Sequence, residues 1–180
     1  MRELTKIIRV KVGRFEEFPP EDGLLLKLAA VAVKNAQSPY SHYCVGAAVL
    51  SESGVIKLGC NVERCSWTQT THAEQNAVDT MVTACGPVKI TKVAIVSARA
   101  GTQISWPPKI TGAEISLMEN IPVPCGHCLQ IIWENCFNDP DVKLIALADN
   151  GEVISTTMGD AFPMRFGPAD LGVDYKKLLF

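Results

Sequence analysis

The sequence predicts an α/β protein, with one mixed β-sheet covered by helices on both faces. Three observations carry that expectation. Segments with helical spacing of apolar residues alternate with short strand-like runs, in the order helix, strand pair, helix, strand, helix, strand pair. The lone central run, residues 92–98 (Lys-Val-Ala-Ile-Val-Ser-Ala), is short and largely apolar, as a buried strand requires. Each strand pair is joined by a turn sequence, Ser51-Glu52-Ser53-Gly54 in the first and Asp149-Asn150-Gly151 in the second.

Residues 1–20 mix short apolar and charged stretches and end at Phe18-Pro19-Pro20, so they read as a flexible N-terminal extension before a single domain, 21–180. Asp22 stands where an N-cap belongs. Leu24, Leu25, Leu28, Ala29, Val31, Ala32 and Val33 follow at helical spacing, and the helix should stop before Ser38-Pro39. Residues 43–50 and 55–62 read as two strands. Thr70 or Thr71 can cap a helix over about 73–84, which Cys85-Gly86-Pro87 ends. After the 92–98 strand, residues 99–121 contain Trp106-Pro107-Pro108 and little periodicity. They read as an inserted loop, which at this length is functional or an oligomer contact. A further helix over about 126–136 carries Leu129, Ile131, Ile132 and Trp133, and strands at 142–148 and 152–156 complete the chain.

With 180 residues, 47% of them hydrophobic and 20% charged, the chain can bury a sizeable core in one domain. A formal charge of −2 supplies no broad cationic surface, which weighs against a polynucleotide partner. Apolar runs fall short of the ~18–20 residues that span a bilayer, so no membrane partner is expected. The acidic side chain among the first six residues and the lack of a long apolar stretch after them weigh against a signal peptide. Seven cysteines without regular spacing do not make a disulfide framework, and thiolate ligands favour a reducing, cytoplasmic setting.

Chemistry concentrates in Thr71-His72-Ala73-Glu74 and Pro124-Cys125-Gly126-His127-Cys128. His72, Cys125 and Cys128 offer one imidazole and two thiolates. Three protein ligands leave tetrahedral zinc a fourth position for water, where a structural site would be closed by a fourth Cys or His. Two thiolates also balance the charge of Zn²⁺. Both segments fall at predicted helix starts, where the positive end of the helix dipole favours thiolates and a developing anion. Glu74, two residues after His72, can reach that water and act alternately as base and acid. His127 reads as a surface or packing residue and His42 as a turn residue. Cys44, Cys60, Cys65, Cys85 and Cys136 read as small core or half-exposed hydrophobes.

His-x-Glu followed by Pro-Cys-x-x-Cys is the known signature of zinc deaminases, and the chain resembles the cytidine deaminase family beyond the metal motif. The segment from Ser38-Pro39-Tyr40-Ser41 through Tyr43 to Val45-Gly46-Ala47 is similar to that family's Ser-Pro-Tyr-Ser-x-Phe-x-Val-Gly-Ala. Gly59-Cys60-Asn61-Val62-Glu63 is similar to its Gly-x-Asn-x-Glu, and Phe166-Gly167-Pro168 extends the likeness to about residue 172. The resemblance implies a three-layer α/β/α sandwich around a five-stranded mixed sheet, with one zinc ion per chain. It implies hydrolysis of cytidine or deoxycytidine to the uridine product. It also implies that Asn61 and Glu63 hold the sugar hydroxyl, that Tyr43 packs on the nucleoside, and that the N–H of Ala73 and the carbonyl of Thr71 address the base. Phe166 stands where the family places a stacking aromatic donated by a neighbouring subunit, which implies a homotetramer, with a homodimer as the alternative.

Three departures stand out. Many short members use a Cys first ligand and an Arg after the last Cys, whereas this chain has His72 and Leu129. The two changes fit together, because three thiolates leave a net negative charge that Arg offsets and His removes. His as first ligand resembles the longer, two-repeat members, yet only one repeat is present. The 99–121 insertion lengthens the interval between His72 and Cys125. Tyr43 in place of Phe needs a partner for its hydroxyl and, with the insertion, leaves open a modified cytosine nucleoside as substrate. A non-catalytic zinc-binding module of the same fold is a further alternative, and an intact Glu74 argues against it.

Overall fold

The computed structural model describes residues 1–108, 122–148 and 151–174. Along the chain it has strand β1 (Lys11–Gly13), helix α1 (Pro20–Val33), strands β2 (Tyr43–Ser51) and β3 (Ile56–Cys60), helix α2 (Ala73–Cys85) and strand β4 (Ile90–Arg99). Helix α3 (Gly126–Asn135), strands β5 (Lys143–Leu147) and β6 (Val153–Thr157), and the short helix α4 (Met158–Ala161) follow. The sheet order is β1-β6-β5-β4-β2-β3, with β4 and β5 parallel and the other neighbours antiparallel. The mixed, helix-covered α/β architecture is the expected one. Its sheet has six strands among the described residues rather than five, because Lys11–Gly13 pairs with the outer edge of β6.

That sixth strand belongs to the stretch expected as a flexible extension. Val12 pairs with Ile154, and Thr156 donates to the Arg9 carbonyl at 2.9 Å. Phe15 and Phe18 pack against the core beneath α1. The Phe15 ring also meets Trp106, with centroids 5.2 Å apart, which draws the first part of the 99–121 loop onto the same face. The remainder of that loop, 109–121, and the Asp149-Asn150 turn positions lie outside the described residues.

Alternation along the central strands sorts the core into two layers. Ala48, Ala94 and Val96 join Leu25, Leu26 and Ala29 of α1 on one face. Ala47, Val49, Val93 and Ile95 join Ala77, Val78, Met81, Ile132 and Trp133 of α2 and α3 on the other. Two glycines set the helix heights. A side chain on Gly46 would overlap the backbone of α1 at Ala29 and Val33, and one on Gly59 would overlap the backbone of α2 at Ala73 and Ala77. Both glycines are therefore demanded by close approach.

Asp22 is not an N-cap. Pro19 precedes the helix and Pro20 occupies its first position, which suits a residue without an N–H. Asp22 is fully buried and reaches Lys92 and Lys143, at 3.0 Å each, tying α1 to the starts of β4 and β5. Neither threonine caps α2, since the N-cap is His72 itself, and Gly86 ends the helix with φ of 71°.

Gly59→Ala should lift the first turn of α2 from the sheet and cost roughly 1–3 kcal/mol, the usual penalty of overpacking. Urea denaturation checks this, and an unchanged midpoint would mean that α2 does not rest on β3 at that point.

Candidate metal centre and active site

Helices α2 and α3 begin at the same end of one face of the sheet, and their first turns converge. His72 is the N-cap of α2, Cys125 is the N-cap of α3, and Cys128 lies in the first turn of α3. His72 Nδ1 is 3.4 Å from each sulfur, and the three donor atoms all lie within 4.8 Å of one another. A tetrahedral zinc with ordinary Zn–S and Zn–N bonds sets nitrogen and sulfur about 3.6 Å apart. The donors are therefore already at ligand spacing and fit the metal. Among the described residues the cluster has these three members and no fourth.

The surroundings explain why a cation belongs there. Burial first, then the neighbouring Glu74 and Cys125, push the Cys128 thiol far above its ordinary range. A doubly charged cation between the donors reverses that balance and favours the thiolate. Glu74 is buried and near enough to Cys128 for its charge to act on that thiol, so it sits beside the donors without belonging to the ligand set. His127 is exposed, as expected, but it is not idle. Its ring lies 5.3 Å from that of His72, and its Nε2 is 3.3 Å from Gln75 Oε1, which links the starts of the two helices. No motif spacing singled out that contact.

A short ladder joins the metal cluster to the other expected residues. Val62 N–H donates to Thr71 O at 2.9 Å, and Thr71 N–H returns to Val62 O at 3.1 Å. This bridge puts Asn61 and Glu63 on either side of a residue paired next to His72. The Thr71 carbonyl thus already accepts one bond and retains one lone pair for a ligand. The Ala73 N–H lies in the first turn of α2, where a helix offers it no acceptor of its own.

Asn61 and Glu63 also hold the protein. Asn61 accepts from Val45 N–H at 2.8 Å and donates to the Tyr43 carbonyl at 2.9 Å. Glu63 accepts from the backbone N–H groups of Tyr40 and Ser41, at 2.9 and 3.2 Å, and from the Ser41 hydroxyl. Burial alone would raise the Glu63 pKa. The Ser41 hydroxyl and the two N–H donors outweigh it and hold the carboxyl below its usual range. Tyr43 finds its partner in Ser97, with the two hydroxyls 2.8 Å apart. Phe166 is 59% exposed and is not among the clustered residues, and its carbonyl accepts from Gln130 of α3 at 3.1 Å.

The family model described as "Cytidine and deoxycytidylate deaminase zinc-binding region" matches residues 20–142. The chain belongs to this family. It is 33% identical over 141 residues to a cytidine deaminase of Sporosarcina psychrophila, covering 78% of this chain and 87% of that one. A cytidine deaminase of Proteus mirabilis is 32% identical over 155 residues, which are 85% of this chain but 42% of that longer relative. Among solved structures, the cytidine deaminase from Burkholderia pseudomallei superimposes with a TM-score of 0.59 at 27% identity, covering 79% of this chain and 97% of that one. The family is zinc-binding and its enzymes are hydrolases, so zinc is the metal that the three donors fit.

Purified protein should carry about one zinc per chain by elemental analysis, and Cys128→Ala should lose most of it, together with thermal stability. Full zinc content in that variant would exclude Cys128 as a ligand. The depressed Glu63 pKa has a signed consequence. Its contribution to stability is complete above the unfolded value of ~4.3 and is lost as pH falls through the lower folded value. Glu63→Gln should flatten this acid limb in denaturation measured from pH 6 downward.

Proposed function

We propose that the protein hydrolyses cytidine or deoxycytidine to uridine or deoxyuridine and ammonia. The observation that carries this reading is the convergence of His72, Cys125 and Cys128 on one point, with the buried carboxylate of Glu74 beside Cys128. His72, Cys125 and Cys128 would hold zinc, which when bound would lower the pKa of water toward ~7 and so supply a nucleophile near neutral pH. Glu74 would take a proton from the attacking water and give it to N3 of the cytosine ring as the water oxygen bonds to C4. It then carries a second proton to the amino group, the C4–N4 bond breaks, and ammonia leaves. The N–H of Ala73 and the remaining lone pair of Thr71 O orient the ring, while Asn61 and Glu63 hold the sugar hydroxyl and Tyr43 packs on the nucleoside.

Asn61 and Glu63 support a free nucleoside over a polynucleotide, as does the formal charge of −2. Thiolate ligands support a cytoplasmic setting. Among the described residues, no helix is long and apolar enough to cross a membrane. Phe166, exposed in the single chain, completes the site of a neighbouring subunit in a homotetramer or, failing that, a homodimer.

Zinc-loaded protein mixed with cytidine should give the absorbance change of uridine formation. Glu74→Gln should keep its zinc and lose at least ~10²–10⁴-fold in kcat, the usual worth of a positioned acid–base group. Undiminished turnover in that variant would remove Glu74 from the reaction. Light scattering should report a multiple of the 19.5 kDa chain, and a fully active monomer would contradict the role given to Phe166.

A further inference from the structure

We propose that Tyr43 and Ser97 determine specificity, and that the polar cavity beside them receives a hydrogen-bonding substituent carried by the pyrimidine ring, such as a 5-hydroxymethyl group. The proposal rests on the nucleoside deaminase reading above and names the part of the substrate that reading leaves open.

Strand register puts the pieces together. Tyr43 and Arg99 are direct partners across the antiparallel β2–β4 pair, and Val45 is the partner of Ser97. Direct partners project to the same face, and so do residues two apart on one strand. Ala47, Val49, Val93 and Ile95 fix that face as the one beneath α2 and α3, where the metal donors lie. Beside this pair a cavity of about 370 Å³ opens at the carboxyl ends of β4 and β5, lined by Tyr43, Ser97, Arg99, Thr102, Gln103 and Ser105 and, from the α1 side of the sheet, by Ala98 and Leu147. Its wall combines one aromatic hydroxyl, several aliphatic hydroxyls, an amide and a guanidinium with apolar side chains such as Ile104 and Leu147. A phenylalanine at position 43 would present only a ring edge. With tyrosine, the pair of hydroxyls 2.8 Å apart holds two protons and uses one between its members, so one donor remains for a ligand oxygen.

Strand order says which part of the nucleoside reaches the cavity. Strand β2 lies between β3 and β4. Asn61 and Glu63 follow β3, whereas Ser97 and Arg99 belong to β4 and Thr102, Gln103 and Ser105 follow it. With the sugar held on the β3 side, the cavity lies across Tyr43 from it, next to the base. On the base, C4 meets the nucleophile, N3 meets Glu74, O2 meets the Ala73 N–H and N1 bears the sugar. The C5–C6 edge is what remains, and a group on C5 is the one that can enter.

The test compares kcat/KM for deoxycytidine, 5-methyldeoxycytidine, 5-hydroxymethyldeoxycytidine and deoxycytidine 5′-monophosphate, using zinc-loaded full-length protein. The hydroxymethyl substrate should match or exceed deoxycytidine and surpass the methyl compound. Its selectivity ratio over deoxycytidine should fall about three- to tenfold in both Tyr43→Phe and Ser97→Ala, the worth of one neutral hydrogen bond. The ratio is independent of any general loss of activity, and two separate variants guard against a folding defect in one. An unchanged ratio in both variants, or a wild-type ratio below one, overturns the proposal while leaving cytidine deamination standing. A preference for the monophosphate would give the cavity to a phosphate and overturn it equally. No turnover of any substrate would defeat the deaminase reading itself and this proposal with it.

Discussion

Two helix N-termini meeting at one point is the constraint on which this molecule depends. Each alone is an ordinary feature, a helix start with a polar N-cap. Brought together over the same face of a sheet, they set one imidazole nitrogen 3.4 Å from each of two sulfurs more than fifty residues away in the chain. The dipoles of both helices favour negative charge at that point, and the charge of a bound cation offsets the cost of burying Cys128 beside Glu74. Removing the close approach of α2 to β3 at Gly59, or the contact of His127 with His72 and Gln75, would disturb all three donors at once.

The rest of the sheet serves this convergence. Asp22 ties α1 to Lys92 and Lys143 at the starts of β4 and β5, away from the ends of these strands that carry Ser97, Arg99 and Leu147. One end of the sheet is thereby locked by a buried carboxylate with two lysines, while the other is left for chemistry. Asn61 and Glu63 work in both directions. They fix the backbone around Tyr43 and the Tyr40–Ser41 turn through four backbone bonds, and in the proposed reaction they also hold the sugar hydroxyl. A residue that serves the fold and the ligand together gives a site that is formed before substrate arrives.

Much of this was legible in the chain. The periodicity of residues 73–84 and 126–136 located both metal-binding helices, and the apolar run at 92–98 located the central strand, because local patterning decides such elements. The cluster of His72, Cys125 and Cys128 was legible, with Glu74 beside it, because their spacing is a requirement of the chemistry. What sequence could not give are the consequences of tertiary contact. Asp22 looked like a cap because caps are local, yet its carboxylate is claimed by two lysines 70 and 121 residues away. The strand at Lys11–Gly13 is three residues long, too short for any period to register, and exists because β6 offers it an edge. Ser97 carried no signal until the register placed it beside Tyr43.

The central claim is that one imidazole, two thiolates and no further protein donor bind the metal, leaving a corner for water. X-ray absorption at the zinc edge of the purified protein tests this directly. Two sulfur scatterers at ~2.3 Å and two nitrogen or oxygen scatterers at ~2.0–2.1 Å are expected, one of the latter exchanged when a substrate-like inhibitor binds. A shell of three or four sulfurs, or one that no ligand perturbs, would contradict it.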